Sequence, residues 1–495
     1  MSMQNSNHMI ELNHPELWRE QCLYAGKWRA SSNGETIAVT NPASGAVLAQ
    51  VPKLSSSDLE QALSAAHKGF NYWRGLIAVE RAAKLRRWFE LMQEHKEDLA
   101  RIMTAEQGKP IAESRGEIDY AASYIEWFAE EAKRGYGEMI PAAKSGQHLL
   151  VRPEPIGVSV AITPWNFPAA MITRKAAAAL AAGCSMVVKP ASMTPLSALA
   201  LAYLAQQAGI DESVLSVVTG DSATVGKAFT ESRLVKKLSF TGSTEVGRKL
   251  MAQCAPNLQK LSLELGGNAP FIVFDDADVT LAVKGAIAAK FRNTGQTCVC
   301  PNRFLVQAGI HDKFVAALKQ AMSELKIGDG FDESVKQTSL INAAAVDKVK
   351  RHYHDALAKG AECVLGDAPG SLPHNRVAPI LLLGVTDQMQ LWQEETFGPV
   401  APIMKFSTEA EGVELANATP FGLAAYFYSQ NIDRSWRVGE ALESGMVGIN
   451  EGGISNAMAP FGGVNQSGFG REGGRQGMQE YQQLKYLCYG RAGSE

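Results

Sequence analysis

From residue 156 to residue 240, short β-rich runs alternate with helical stretches, and this alternation restricts the fold more than any other feature of the chain. Residues 156–163 form the first β-rich run. After a turn, the Ala-rich stretch 169–182 reads as a helix closed by Gly183. A second strand is expected at 186–189, a helix at 195–208, a third strand at 215–219 and, after a further helix, a fourth at 237–240. Strands separated by helices of this length form βαβ units and a parallel, doubly wound sheet. This is nucleotide-binding architecture, and fold alone leaves the activity open.

A second α/β series begins near residue 270, with strands at 271–274 and 304–307 and an amphipathic helix over 311–327. The boundary between the two series falls near 262–268. Upstream, residues 56–134 read as mostly helical: Ile118, Ala121, Ala122, Ile125, Phe128 and Ala129 recur at helical intervals. The segment 135–153 and the last stretch of the chain belong to neither series, and their pattern fits a protruding arm used in oligomerisation. The first residues are a polar lead-in.

With 495 residues, 46% of them apolar and 20% charged, the chain can bury two or three domain cores and is not disordered. Lys and Arg (48) nearly balance Asp and Glu (51), which leaves no electrostatic footprint for nucleic acid or an anionic membrane. Seven scattered cysteines, an odd number, do not make a disulfide framework and fit a reducing compartment. The longest nearly apolar run, 176–188, is too short to cross a bilayer, and the N-terminus shows no signal-peptide core. A cytoplasmic protein is expected.

Two motif matches fail on context. Gly468, Gly470 and Gly473 satisfy G-x-G-x-x-G, but no strand leads in and too little chain follows for a βαβ unit. The stretch from Gly220 to Lys227 resembles a P-loop with one residue too many, and Ala228 stands where a magnesium-binding hydroxyl belongs. No metal site is expected either: His352 and His354 lie two apart on a helix and face different ways.

The chemistry concentrates in three places. Cys298, in a Gly-containing loop just past a helix, is either a buried spectator or a nucleophile activated as a thiolate. Glu264, set among leucines beside Gly266 and Gly267, is either an ion-pair partner or a base with a raised pKa. Asn166, within the rigid turn Pro164-Trp165-Asn166-Phe167-Pro168, either caps that turn or aims its NH₂ at a developing oxyanion.

Taken in order, PWNFP (164–168), VVKPAS (187–192), FTGS (240–243), LELGG (263–267), GQTC (295–298), EETFGP (394–399) and PFGG (460–463) make a chain that resembles the NAD(P)-dependent aldehyde dehydrogenase superfamily, from about Gly26 to the C-terminus. Thr297-Cys298-Val299-Cys300 with Asn302-Arg303, the Ala170-to-Lys175 stretch and residues 261–269 are closer still to succinate-semialdehyde dehydrogenases. The resemblance implies an α/β fold with a Rossmann-type cofactor-binding domain (1–134 and 154–264), an α/β catalytic domain (265–470) and oligomerisation segments (135–153 and 471–495). It makes Cys298 the nucleophile, Asn166 with the Cys298 N–H the oxyanion donors, and Glu264 the base that activates the hydrolytic water. Thr163, Trp165, Lys189, Ser192, Gly226, Ser243 and Glu395 occupy cofactor-binding positions, with Lys189 and Glu395 on the two riboses. Ser192 stands where related NAD-specific enzymes often carry Glu, so NADP is expected to be preferred over NAD.

By the same resemblance Arg174, Arg292 and Ser455 bind a substrate carboxylate, since two cations near the catalytic motifs suit an anionic tail. Each arginine taken alone is as well explained by solvent or an ion pair. Cys300 is either a packed side chain or the partner of Cys298 in a strained, reversible disulfide. Thr338-Ser339 depart from the Gly-Pro common in the family. Succinate semialdehyde is the favoured substrate. Glutarate semialdehyde and a broader range of aliphatic aldehydes are alternatives, because one methylene is worth only ~1–3 kcal/mol. Transfer of the thioester to CoA needs no hydrolytic base, so Glu264 argues against it. A non-catalytic descendant should lack some of Cys298, Asn166, Glu264 and Lys189, and all four are present. The family precedent and the arm favour a homo-oligomer, a tetramer before a dimer.

Overall fold

The computed structural model describes residues 10–490 and contains two large sheets. In the first, five parallel strands run in the order Lys260–Glu264, Val235–Thr241, Val158–Ile162, Ser185–Lys189 and Leu215–Val217. Antiparallel edges are added by Gly468–Phe469 at one side and by Cys22–Tyr24 with Lys27–Arg29 at the other. The helices Ala170–Ala182 and Pro195–Gln207 are buried along nearly all their length because a second helical layer covers them. The run expected at 56–134 resolves into four helices, of which Ala78–Glu94, Lys96–Gln107 and Ile111–Glu131 form that layer and Ser56–Trp73 packs on the sheet beside Ser222–Glu231. The wholly buried Trp73 and Trp88 donate their indole N–H groups to the Leu180 and Leu201 carbonyls, at 2.8 and 3.1 Å. A large buried ring must find such a partner for its polar atom. Ser55 and Asp58 close a capping box at the start of Ser56–Trp73, and Gly183 ends Ala170–Ala182 at φ 100°.

The second sheet runs Glu362–Leu365, Ile380–Leu383, Val400–Phe406, Pro301–Gln307, Ala269–Val273, Ala424–Tyr428 and Met446–Ile449, parallel except at its first pair. The chain passes from the last parallel strand of the first sheet to the first of the second through residues 265–268, so the loops of both sheets meet there. The helix expected over 311–327 stops at Ser323, and the Lys326 carbonyl instead accepts the Lys336 and Gln337 amides.

The terminal segments divide. Gln482–Gly490 pairs antiparallel with Gln147–Pro155 along its whole length, and Glu138–Ile140 lies on the other side, forming a separate three-stranded sheet. Residues 471–481 pack elsewhere: Met478 and Tyr481 join the main core, and Glu472 is buried against Arg174 and Lys175. Residues 1–9 and 491–495, parts of the lead-in and of the expected C-terminal arm, lie outside the described residues.

Candidate active site

In the first sheet the strand order reverses at Val158–Ile162, whose neighbours are the next strand in sequence, Ser185–Lys189, and the much later Val235–Thr241. Ligands enter open α/β sheets at such a switch point, at the carboxyl ends of the strands. Here the emerging loops carry Trp165, Asn166 and Ser243 into a cleft of about 280 Å³ that Gly266, Cys298, Glu395 and Phe397 complete. Trp165 and Phe397 meet edge to face, ring centroids 5.7 Å apart. Thr163, just beyond the first strand, has a buried hydroxyl with no hydrogen-bond partner. Lys189 ends the second strand. Burial pushes its ammonium pKa down to about 8, and Nζ donates to the Pro190 carbonyl at 3.3 Å. Half-buried Ser192 lies in the turn that follows. Ser243 caps the helix Thr244–Cys254, and Gly226 sits inside Ser222–Glu231. Glu395 accepts the Gly267 N–H at 3.3 Å, and burial raises its carboxyl to about 7.

Cys298 sits in the loop between the turn Arg292–Gly295 and the strand Pro301–Gln307. That turn holds Asn293 and Thr294 at φ 51° and 55°, a left-handed conformation costly for a β-branched residue. Side-chain bonds secure it: Gln107 Nε2 donates to Asn293 Oδ1 at 3.1 Å, and the Thr338 N–H donates to Thr294 Oγ1 at 3.1 Å. Gly267 is required by close approach, since a Cβ there would lie 2.7 Å from the Cys298 carbonyl oxygen. Burial pushes the Cys298 thiol up to about 11, while the Arg174 charge pulls against it. Both Glu264 oxygens are buried with no hydrogen-bond partner, and burial, followed by the nearby Glu472 charge, raises its pKa well above the carboxylate range. Asn166 Nδ2 donates to the Gln296 carbonyl at 3.0 Å. An amide NH₂ carries two hydrogens, so one is left over.

Cys298 is also part of the wall of a second, tight pocket formed by Tyr120, Phe167, Met171, Arg174, Arg292, Ser455 and Phe461. The Arg174 side chain is fully buried and pairs through Nε with Glu472, whose other oxygen lies 2.6 Å from Lys175 Nζ. Burial works against the Glu472 charge, yet Arg174 and Lys175 hold its pKa below the usual range. Nη1 and Nη2 of Arg174 are buried and donate to no acceptor. The Arg174 guanidinium lies 4.4 Å from the Phe461 ring centroid, and that of Arg292 lies 4.9 Å from Phe167. Orphaned guanidinium N–H groups in an aromatic pocket are a recess for an anion. Cys300 is a buried free thiol to which Lys290 Nζ donates at 3.3 Å.

Of the residues singled out, Trp165, Asn166, Ser243 and Glu395 line the cleft with Cys298, and Arg174, Arg292 and Ser455 line the tight pocket with it, whereas Thr163, Lys189, Ser192, Gly226 and Glu264 line neither. Tyr120, Glu472 and Phe461 were not singled out. Phe461 lay inside the quoted PFGG run, whereas Tyr120 sits on an ordinary amphipathic helix with no local signal. The discarded G-x-G-x-x-G run forms an edge strand and a turn, and Asp221 in the discarded P-loop run caps the helix Ser222–Glu231. His352 is buried against Thr396 and Glu394, while His354 is exposed. Among the described residues one group, His14, His95 and Asp98, brings three possible metal-ligand atoms within 4.8 Å of one another. The Asp98 carboxylate there accepts the Asn13 and His14 amides.

The profile of the aldehyde dehydrogenase family matches residues 28–487. The succinate-semialdehyde dehydrogenase (NADP(+)) GabD of Escherichia coli (strain K12) is 56% identical over 481 residues, covering 97% of this chain and 100% of the relative. A glutarate-semialdehyde dehydrogenase of Pseudomonas putida is 56% identical over 479 residues, covering 97% and 99%. The crystal structure of succinate-semialdehyde dehydrogenase from Burkholderia pseudomallei superposes with a TM-score of 0.96 at 55% identity, covering 97% of this chain and 100% of that one.

Proposed function

Because the chain belongs to the aldehyde dehydrogenase family, we propose that it oxidises succinate semialdehyde to succinate with NADP or NAD, through covalent intermediates on Cys298. The observation that carries this reading is the place of Cys298 between two cavities, a cleft at the sheet switch point and an arginine-bearing pocket. The residues fit a dinucleotide. Thr163 offers an unpartnered buried hydroxyl and Lys189 a buried ammonium, and Trp165, Ser243 and Glu395 line the cleft. When bound, the nicotinamide supplies a two-electron acceptor for hydride. Ser192 beside Lys189 leaves room for a 2′-phosphate, which favours NADP, the cofactor named for the Escherichia coli relative.

Arg174, Arg292 and Ser455 hold the substrate carboxylate, which turns the aldehyde carbon toward Cys298. The Cys298 thiol first gives up its proton to water, the thiolate attacks that carbon, a C–S bond forms, and the carbonyl π pair moves to oxygen. The remaining Asn166 N–H and the Cys298 backbone N–H hold this oxyanion, a donor set aimed at charge that develops during reaction. Loss of hydride leaves a thioester on Cys298. Glu264 takes a proton from water, the hydroxyl adds to the acyl carbon, and the C–S bond breaks to release the acid and the thiolate. A carboxyl whose pKa burial has raised is, once ionised, a stronger base toward that water than an exposed carboxylate.

By the same reading residues 1–134 and 154–264 bind the cofactor and 265–470 carry the nucleophile. The three-stranded sheet is the contact between copies in a homo-oligomer, a tetramer before a dimer; its exposed Met139, Leu484, Tyr486 and Tyr489 support this. Seven free thiols support a reducing, cytoplasmic setting, and among the described residues no helix is long and apolar enough to cross a membrane. Glutarate semialdehyde is the second reading, favoured by the name of the Pseudomonas putida relative. NADPH formation with succinate semialdehyde, glutarate semialdehyde and propanal tests both. High kcat/KM for one semialdehyde and little for propanal is expected, and equal rates on all three would refute the anionic-tail pocket.

A further inference from the structure

Asn166 reaches the site from a short turn, and its direction is set by a side chain outside both cavities. Lys109 lies in the loop between the helices Lys96–Gln107 and Ile111–Glu131, and its side chain, like that of Glu117, is 1% exposed. Its Nζ donates to Glu117 Oε2 at 2.5 Å and to the Asn166 main-chain carbonyl at 2.7 Å, and lies 4.2 Å from the Phe167 ring centroid. Glu117 Oε1 in turn accepts the Ala169 and Ala170 amides, at 2.9 and 3.2 Å. The Asn166 carbonyl takes a second donor, Asn293 Nδ2 at 3.0 Å, from the left-handed turn that leads to Cys298. The four residues 166–169 are thus gripped at a carbonyl, a ring and an amide by one buried ion pair.

A buried pair without a further task is poor value for stability, since apolar residues of like volume serve as well. This one fixes the peptide plane that follows Asn166, and hence the line along which its amide leaves the backbone. We propose that Lys109, paired with Glu117, is a positioning residue that holds the Asn166 amide in register with the oxyanion at Cys298. The proposal rests on Asn166 being an oxyanion donor.

The test compares Lys109→Met/Glu117→Gln, Asn166→Ala and the triple variant as full-length protein, each loaded with NADP and assayed with succinate semialdehyde. Glutamine keeps an acceptor for the Ala169 and Ala170 amides, and the neutral pair leaves no stranded charge. A donor that acts only on the transition state lowers kcat and kcat/KM together and leaves KM unchanged. Outright loss of one such donor costs roughly 10²–10³ in kcat. Lys109→Met/Glu117→Gln is expected to lose about 10- to 100-fold in kcat, with KM and the NADP dissociation constant within about twofold of wild type. The triple variant is expected to be no slower than Asn166→Ala, because the pair acts through that amide. An unchanged kcat in Lys109→Met/Glu117→Gln, a shared rise in KM and NADP dissociation constant, or an additive loss in the triple variant overturns the proposal. If Asn166→Ala itself keeps its kcat, the oxyanion role fails first. Should the buried-pair variant not fold, Lys109→Arg decides the matter: it keeps the charge facing Glu117 while replacing the ammonium that donates to the Asn166 carbonyl, and a kcat loss at constant KM is required of it.

Discussion

Replacing Arg292 by alanine separates recognition of the substrate's anionic end from chemistry at its aldehyde. Arg292 lines the pocket beside Cys298, and among the described residues it has no carboxylate within ion-pair distance, so its charge is free for a ligand. A hydrogen bond to a charged group contributes about 1.5–3 kcal/mol, and at about 1.36 kcal/mol per decade its loss lowers kcat/KM by about 10- to 150-fold. Propanal has no carboxylate, so its kcat/KM is expected to stay within about threefold. Arg174→Ala adds a second effect. Its Nη1 and Nη2 are orphaned donors facing the same pocket, but its Nε supports Glu472. Removing it breaks a buried pair, at about 3–5 kcal/mol. It also withdraws a positive charge that lowers the Glu264 pKa. That pKa then climbs further, less of the base is ionised near neutrality, and hydrolysis slows for every aldehyde. Initial rates at saturating NADP, with the semialdehyde and propanal in parallel, give the two selectivity ratios. Selective loss in Arg292→Ala and mixed loss in Arg174→Ala are expected. Equal losses on both substrates in Arg292→Ala would mean that Arg292 does not read the tail.

Three further outcomes are open to measurement. Ser192→Glu is expected to reverse the cofactor preference by at least about tenfold, since two like charges about 6 Å apart repel by about 3 kcal/mol at an effective dielectric of about 20; an unchanged NADP-to-NAD ratio would count against the assignment of Ser192. With its thiol pKa raised to about 11, Cys298 in the cofactor-free enzyme gains thiolate about tenfold per pH unit. Inactivation by iodoacetamide should therefore accelerate at that slope between about pH 7 and 9, and a plateau in that range contradicts the burial argument. If Cys300 forms the reversible disulfide, peroxide inactivation that dithiothreitol reverses will vanish in Cys300→Ala; full persistence in that variant assigns Cys300 to packing against Lys290.

The local features were readable because their causes are local. Gly183 ends a helix wherever a left-handed residue must follow it, and apolar spacing alone marks Ile118, Ile125 and Phe128 as one buried face. Periodicity extends the helix to 327, past its end at Ser323, because the Lys336 and Gln337 amides that draw the Lys326 carbonyl away from a helical path lie beyond the window that periodicity samples. Cys298, Glu264 and Asn166 were legible as a set only through their order along the chain. Taken singly, each had an ordinary structural explanation.

The residues that tune the site leave no such trace. Glu472 meets Arg174 and Lys175 because the C-terminal segment folds back onto the helix Ala170–Ala182. Lys109 reaches the Asn166 carbonyl from a loop 57 residues upstream. The raised pKa values of Cys298 and Glu264 come from the loss of water around them, and desolvation depends on what packs near a group in space. Residue types and their spacing carry the chemistry available to this chain. Burial, charge pairing and the direction of each donor arise from long-range packing and exist only once the chain has closed on itself.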